Sequence, residues 1–206
     1  MRNANGIRAG FARVALLTVW FVVSMAIVSG LMADHWIPLP RPEGDSFTYQ
    51  SRGEPANDQS DATRPKAHHF LYGECPCSRR VLDQLLERHA LSGVDETIVL
   101  VDGPAALVTE ASNLGYRVDL VAAAELEHRY GVVSSPLLVV TDASERLLYS
   151  GGYTDRKQGF AIRDTEILRK LRSGEHVSPL PVFGCATSRE LQARIDPLGL
   201  KYEQQP

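Results

Sequence analysis

The segment that most constrains the fold runs from Phe70 to Arg80 and reads FLYGECPCSRR. A short apolar stretch, His69 to Tyr72, has the length of a buried strand and is followed by a glycine. Residues 78–90 predict a helix, because apolar side chains recur there at the spacing of one helix face: Val81, Leu82, Leu85 and Leu86. The chain therefore passes from a strand into a helix across two cysteines.

The two cysteines of this junction are separated by a single proline, in the order Cys75, Pro76, Cys77. Proline is favoured at the first position of a helix, where its missing N–H would have no partner. This places Cys75 at the N-cap and Cys77 in the first turn. The positive end of the helix dipole and the neighbouring Arg79 and Arg80 favour thiolates there. The sequence therefore predicts a reactive dithiol.

We expect Cys75, as the more exposed N-cap residue, to attack a substrate sulfur and Cys77 to resolve the mixed disulfide. The alternative is a pair of inert cysteines in a tight turn, although structural cysteines are seldom paired at a helix N-terminus beside arginines. Cys185 lies far beyond this motif. Its residue type fits a small buried hydrophobic residue as well as a third redox thiol.

The composition excludes several classes of protein. The chain has 206 residues, a formal net charge of −3 and 44% hydrophobic residues, which suits one membrane-associated globular domain. It shows no charge imbalance typical of nucleic-acid binding and no glycine-rich phosphate loop. Three cysteines are too few for a disulfide scaffold. His68 and His69 alternate along the first strand and are weak metal candidates, so we expect no cofactor and no metal site.

The N-terminal region has the pattern of a membrane anchor. Residues 1–13 carry positive charge and no acid: Arg2, Arg8 and Arg13. Residues 14–33 carry no charge, and about 20 apolar residues suffice to cross a bilayer as a helix. The arginines predict a single-pass helix with its N-terminus in the cytoplasm. The alternative is a signal peptide cleaved near Val28–Gly30; either way the rest of the chain is exported, in a bacterium to the periplasm.

The chain beyond the anchor divides into three parts. Residues 34–65 are rich in proline, glycine, serine and aspartate and predict a solvated stalk. Residues 66–174 predict an α/β domain, and residues 175–206 form a C-terminal extension. Within the domain, strands and helices alternate: strands near 69–72, 96–102, 117–120, 134–142 and 147–149, and helices near 78–90, 104–114, 122–130 and 164–172.

Residues 66–174 resemble the thioredoxin superfamily in this element order, with two cysteines at a helix start and a strand opened by a proline. The tether, the stalk and an added strand and helix at 116–130 are most similar to the exported TlpA-like reductases and the peroxiredoxin-like branch. The resemblance implies a mixed sheet flanked by helices. It also implies that Ser135 and Pro136 lie across a cis bond near the cysteines, where the backbone of Ser135 pairs with an incoming peptide.

This sequence departs from the family pattern at the cysteines. The family usually has two residues between them, whereas only Pro76 separates them here, and Glu74 stands where an aromatic residue is common. We expect an exported thiol–disulfide oxidoreductase that acts on protein thiols or disulfides. A copper chaperone of the Sco type, a peroxiredoxin-like peroxidase and a non-enzymatic scaffold are the alternatives, and the sequence leaves the direction of the redox reaction open.

The arginine asymmetry predicts the topology of the chain in the membrane. A reporter fused after Pro206 is expected to be active only if it functions outside the cytoplasm, because the positive residues before the apolar segment stay inside. Activity of a reporter that works only in the cytoplasm would reverse this topology. A mature N-terminus near Leu31, determined by peptide sequencing, would instead indicate a cleaved signal.

Overall fold

The computed structural model describes residues 4–35, 38–49, 64–157, 159–199 and 201–202. The chain divides into two units, Met1–Ile37 and Pro38–Pro206. The first unit holds one helix, α1 (Ala4–His35). Its segment Arg13–Gly30 has a mean hydropathy of 1.8, so α1 is long and apolar enough to cross a membrane.

The second unit is built on a five-stranded mixed sheet with strand order β3-β2-β1-β5-β6. β1, β2 and β3 are parallel, whereas β5 is antiparallel to β1 and β6 to β5. In chain order the elements are β1 (Lys66–Tyr72), α2 (Pro76–Arg88), β2 (Asp95–Val101), α3 (Ala106–Asn113), β3 (Arg117–Val121), α4 (Ala123–Tyr130), β4 (Ser134–Ser135), β5 (Leu137–Thr141), β6 (Leu147–Gly151), α5 (Asp164–Arg172), β7 (Cys185–Ala186) and α6 (Arg189–Ile195). The predicted α/β sandwich with a mixed sheet is confirmed.

The sheet buries a hydrophobic cluster on each face. On one face, Leu82 and Leu85 of α2 and Leu168 of α5 pack with Leu71 of β1. On the other face, the cluster includes Phe70 of β1, Leu126 of α4 and Val139 of β5. Burial of one such side chain contributes about 1.5–3 kcal/mol. This packing fixes α2 against the sheet, and its first turn follows the carboxyl end of β1.

Residues 38–49 belong to the folded domain, so the predicted stalk at 34–65 is wrong for this segment. Phe47 is buried and meets Phe70 edge to face, and Tyr49 stacks on Tyr130 with 4.9 Å between ring centroids. These aromatic rings cover the second face of the sheet, which would otherwise be open to water. The remainder of the predicted stalk, at 50–63, lies outside the described residues.

The C-terminal extension also packs against the domain. The amide of Gly152 donates to the carbonyl of Leu180 at 2.9 Å, and Val182 pairs with Leu39. A Cβ atom on Gly152 would lie only 2.1 Å from the carbonyl oxygen of Pro181, so glycine is required for this close approach. The extension is thereby led across the domain toward the start of α2.

A charged network is buried between the C-terminal end of α2 and the sheet. Arg88 pairs with Glu96 of β2 at 2.5 Å and with Asp164 of α5 at 2.7 Å. Nε2 of His69 lies 2.9 Å from Glu96, and its Nδ1 lies 2.9 Å from the Tyr153 hydroxyl. The side chains of His69 and Glu96 are fully buried. Buried charges of this kind are tolerated because each one has partners.

This network predicts a pH dependence of stability. Burial by itself raises the pKa of Glu96, but hydrogen bonds from His69 and Arg88 outweigh it and lower that pKa to about 2, below its ordinary 4.5. The stabilisation is therefore complete above pH 4.5 and is lost as the pH falls toward 2. Glu96→Gln should lower the free energy of unfolding at pH 7 by about 3 kcal/mol and flatten its acid dependence.

Urea unfolding of the full-length chain in detergent between pH 2 and pH 7 measures both effects. Glu110→Gln, at an exposed position of α3, is the matched control and should behave like the wild type. Equal stability of the two variants at pH 7 would show that the network contributes nothing.

Candidate functional site

The cysteine motif lies where the chain leaves β1 for α2. Cys75 is the N-cap residue of α2 with φ −82° and ψ 119°, and Pro76 occupies the first turn, as the sequence predicts. Gly73 lies two residues before Cys75, in the turn that joins β1 to α2. A Cβ atom at this position would lie 2.7 Å from the carbonyl oxygen of Asp102. Glycine thus lets the junction pass close to the end of β2, and Cys75 is held at the edge of the parallel strands.

The loop before β5 lies against the first turn of α2. The peptide bond between Ser135 and Pro136 is cis. The hydroxyl of Ser78 donates to the hydroxyl of Ser135 at 3.4 Å, and both residues are buried. The fold therefore brings together the predicted dithiol and the predicted serine–proline step. Ser78 was not singled out from the sequence, because an isolated serine in a helix carries no distinctive signal.

The third cysteine joins the same site from the C-terminal extension. Cys185 of β7 pairs with Ser135 of β4 in an antiparallel bridge, which brings Cys185 to the loop that lies against the first turn of α2. Gly184 lies directly on the proline loop, since a Cβ atom there would be 1.9 Å from the Ser135 carbonyl oxygen and 2.6 Å from Cδ of Pro136. All three thiols are free in this structure and form one cluster.

Burial within the cluster differs from the prediction. Cys75 is 1% exposed and Cys185 is 8% exposed, whereas Cys77 is partly exposed. The expectation that Cys75 is the more exposed of the pair is therefore wrong. Cys185 comes from β7, which pairs with the loop beside the start of α2, while Cys77, two residues further into the helix, is less covered.

The hydrogen bonds of the cluster favour one thiolate at Cys75. Donation from the Cys185 thiol, then from the Cys77 thiol, lowers the pKa of Cys75 far below its ordinary value; burial opposes this, and the amide and hydroxyl of Ser78 add to it. The pKa of Cys77 is raised because its thiol donates to Cys75, because it is buried and because a second charge would be repelled. The same causes raise the pKa of Cys185. These shifts favour one thiolate, at Cys75, with Cys77 and Cys185 protonated.

Positive side chains flank the cluster. Arg80 favours the thiolate form of Cys77, and its guanidinium donates to the carbonyl of Gly159 at 2.6 Å. Lys201 favours the ionised forms of Cys77 and Cys185, and its ammonium group donates to the carbonyl of Gly184 at 3.3 Å. Lys201 comes from the end of the chain, so sequence reasoning had no basis for placing it here.

The two histidines of β1 lie in other environments. His69 belongs to the buried charged network, and the ring of His68 lies against that of Tyr49, tilted by 31°, with 4.4 Å between ring centroids. Burial lowers the pKa of His68 to about 3, so this residue is neutral at physiological pH. Among the residues described by the structure, no group of three or more His, Cys, Asp or Glu is arranged to hold a metal ion.

The dependence of Cys75 on its donors gives a testable expectation. Cys185→Ala removes the principal hydrogen bond to the thiolate and should raise the pKa of Cys75 by about one to two units, because a hydrogen bond to a charged group contributes roughly 1.5–3 kcal/mol. Thiolate absorbance near 240 nm follows the titration. Cys75→Ser is the control that identifies the acidic transition. An unchanged midpoint in Cys185→Ala would contradict the contact.

No protein-family model and no curated protein match this sequence. Among solved structures, a hypothetical protein from Sinorhizobium meliloti 1021 is 18% identical over 61% of this chain and 80% of its own, with a TM-score of 0.49. A thioredoxin-like protein in the oxidised form is 14% identical over 68% and 97%, with a TM-score of 0.44. A peroxiredoxin-like protein from Aquifex aeolicus is 13% identical over 66% and 86%, with a TM-score of 0.41.

The chain's own topology carries the assignment of the fold. Three parallel strands continue into an antiparallel pair, the cysteine motif begins the helix after β1, and a cis proline precedes β5 beside that helix. These are the features through which the sequence resembles the thioredoxin superfamily. The described residues between 38 and 202 form a domain with a thioredoxin-like fold.

Proposed function

We propose that this chain is a membrane-anchored, exported thiol–disulfide oxidoreductase in which Cys75 attacks and Cys77 resolves. The observation that supports this most is the position of Cys75 at the N-cap of α2, where the free N–H groups of the first turn are donors, with Cys77 in that same turn. A thiolate is the nucleophile in disulfide exchange, and a second thiol next to it completes the exchange. Inert structural cysteines have no need for such donors.

The reaction follows from the charge shared among the sulfurs. The Cys75 thiolate attacks one sulfur of a substrate disulfide, the substrate S–S bond breaks, and the other substrate sulfur leaves as a thiolate. Cys75 is now uncharged, so the hydrogen bond and the repulsion that raise the pKa of Cys77 disappear. Cys77 then loses its proton and attacks Cys75, which releases the second substrate thiolate and leaves a Cys75–Cys77 disulfide.

The overall step reduces the substrate disulfide and oxidises the dithiol by the same two electrons, and its reverse oxidises a substrate dithiol. The reduction potential of the partner sets the direction. We assign docking of the partner chain to Ser135 and Pro136. Ser135 lies beside Ser78 in the first turn of α2, so a peptide paired with its backbone would pass close to Cys75.

We assign α1 as a single-pass anchor in the inner membrane, with the domain in the periplasm. The apolar segment Arg13–Gly30 and the arginines before it support this assignment. An oxidising compartment suits a protein that works on disulfides, and the partners are then exported protein thiols or disulfides. A secreted form released by signal cleavage is the other arrangement.

Trapping of a mixed disulfide tests the assignment of roles. In the full-length chain in detergent, Cys77→Ser with Cys185→Ala removes both thiols that could release an adduct. This variant should retain glutathione on Cys75 after exposure to oxidised glutathione, because the attacking thiolate is intact. The matched control, Cys75→Ser with Cys185→Ala, leaves only Cys77 and should form far less adduct. Intact-protein mass spectrometry measures both.

Comparable adducts in the two double variants would overturn the nucleophile assignment. Copper provides the second arm of this experiment, because soft thiolates bind Cu(I). Tight binding of Cu(I) by the reduced wild-type chain, without any adduct on Cys75, would favour the copper chaperone. Adduct formation in the first variant favours the oxidoreductase.

A further inference from the structure

The C-terminal strand β7 occupies the edge to which a partner peptide is assigned. We propose that the segment Val182–Thr187 is a built-in occupant of this edge, and that Cys185 forms a reversible disulfide with Cys75 that closes the site to partners. This inference rests on the proposed function, because it uses the oxidised Cys75–Cys77 pair as its starting point. It concerns regulation of that same site.

The backbone of the segment is docked as a strand. Ser134 pairs with Ala186 and Ser135 with Cys185 in antiparallel register, and the amide of Thr187 donates to the carbonyl of Val133 at 2.8 Å. Within the described residues, β4 has no other strand partner than β7. An extended peptide added to this edge would use the same backbone groups. A partner can therefore pair with Ser135 only after β7 has left.

The rest of the tail holds this strand from its outer side. The Ala186 amide donates to the hydroxyl of Tyr202 at 2.9 Å, and its carbonyl accepts from the side chain of Gln192 at 3.1 Å. On the other side of Cys185, the carbonyl of Gly184 accepts from Lys201. The backbone groups that β4 leaves unpaired thus find partners in the tail. These contacts keep Cys185 in register with Ser135.

The register places Cys185 opposite Ser135, beside the first turn of the helix that begins at Cys75, and Gly184 makes this close approach of β7 possible. Any larger residue at position 184 would collide with the Ser135 carbonyl and with the Pro136 ring. Because β7 holds Cys185 on the loop that lies against the first turn of α2, exchange with Cys75 requires only a local movement of this strand.

The exchange step is balanced without an external oxidant. The Cys185 thiol gives up its proton, and its thiolate attacks the Cys75 sulfur of the oxidised pair. The Cys75–Cys77 bond breaks as the Cys75–Cys185 bond forms, and Cys77 leaves as a thiolate that takes up the proton. The product has the same oxidation state, a partly exposed free Cys77 and a Cys75 that is covered by β7.

The experiment compares Cys77→Ser with Cys77→Ser/Cys185→Ser in the full-length chain in detergent, with oxidised glutathione as the probe. In Cys77→Ser, glutathione added to Cys75 should be displaced by Cys185, which leaves an intramolecular Cys75–Cys185 disulfide in non-reducing peptide maps. In the double variant the glutathione adduct on Cys75 should persist, because both thiols that could release it are absent.

Persistence of the adduct for equal times in both variants would overturn the inference and leave the proposed function intact. Absence of any adduct on Cys75 in the double variant would instead refute the proposed function. Gly184→Val provides a second test in which all three thiols are retained. It should undock β7, abolish the Cys75–Cys185 disulfide and speed alkylation of Cys75 by iodoacetamide; unchanged disulfide formation in this variant would contradict the docked-strand mechanism.

Discussion

The packing of α2 on β1 is the contact on which the cysteine site depends. Leu85 of α2 and Leu71 of β1 are fully buried in one cluster, so the helix cannot shift along the sheet without opening the core. This contact places the N-terminal amide groups and the hydroxyl of Ser78 at the Cys75 sulfur. The contacts that lower the pKa of Cys75, from Cys185, Cys77 and Ser78, come from three parts of the fold, so a free peptide with the cysteine motif would lack most of them.

Polar contacts fix both ends of the same helix. At its C-terminal end, Arg88 joins Glu96 and Asp164 in a buried network, and at its N-terminal end Ser78 meets Ser135. The apolar residues between them supply most of the burial but specify the position of the helix less strictly, because hydrophobic packing has little directionality. The ion pairs of Arg88 and the Ser78–Ser135 contact depend on orientation, so they fix the position and rotation of α2 on the sheet more strictly.

Local patterns predicted the strand–helix junction, the N-cap position of Cys75 and the order of the elements, because each depends on residues close together in the chain. The contact of Cys185 with Cys75 could not be predicted, since it joins positions 110 residues apart through a tail without a strong periodic pattern. Composition misled at residues 38–49, where frequent prolines concealed the two aromatic residues, Phe47 and Tyr49, that pack on the sheet. The burial of Cys75 could not be predicted for the same reason, because β7, which packs beside the start of α2, is distant from Cys75 in the sequence.

The packing of residues 38–49 determines where a soluble fragment of this protein should begin. A soluble fragment that began at Lys66, the boundary suggested by composition, would lack Phe47, whose ring meets Phe70 edge to face. It would also lack Leu39, which pairs with Val182 three residues before Cys185. Such a fragment would expose apolar aromatic surface, which favours aggregation, and would hold Cys185 less firmly. The reactivity of its cysteines would therefore differ from that of the intact domain. A fragment that starts at Pro38 keeps both contacts.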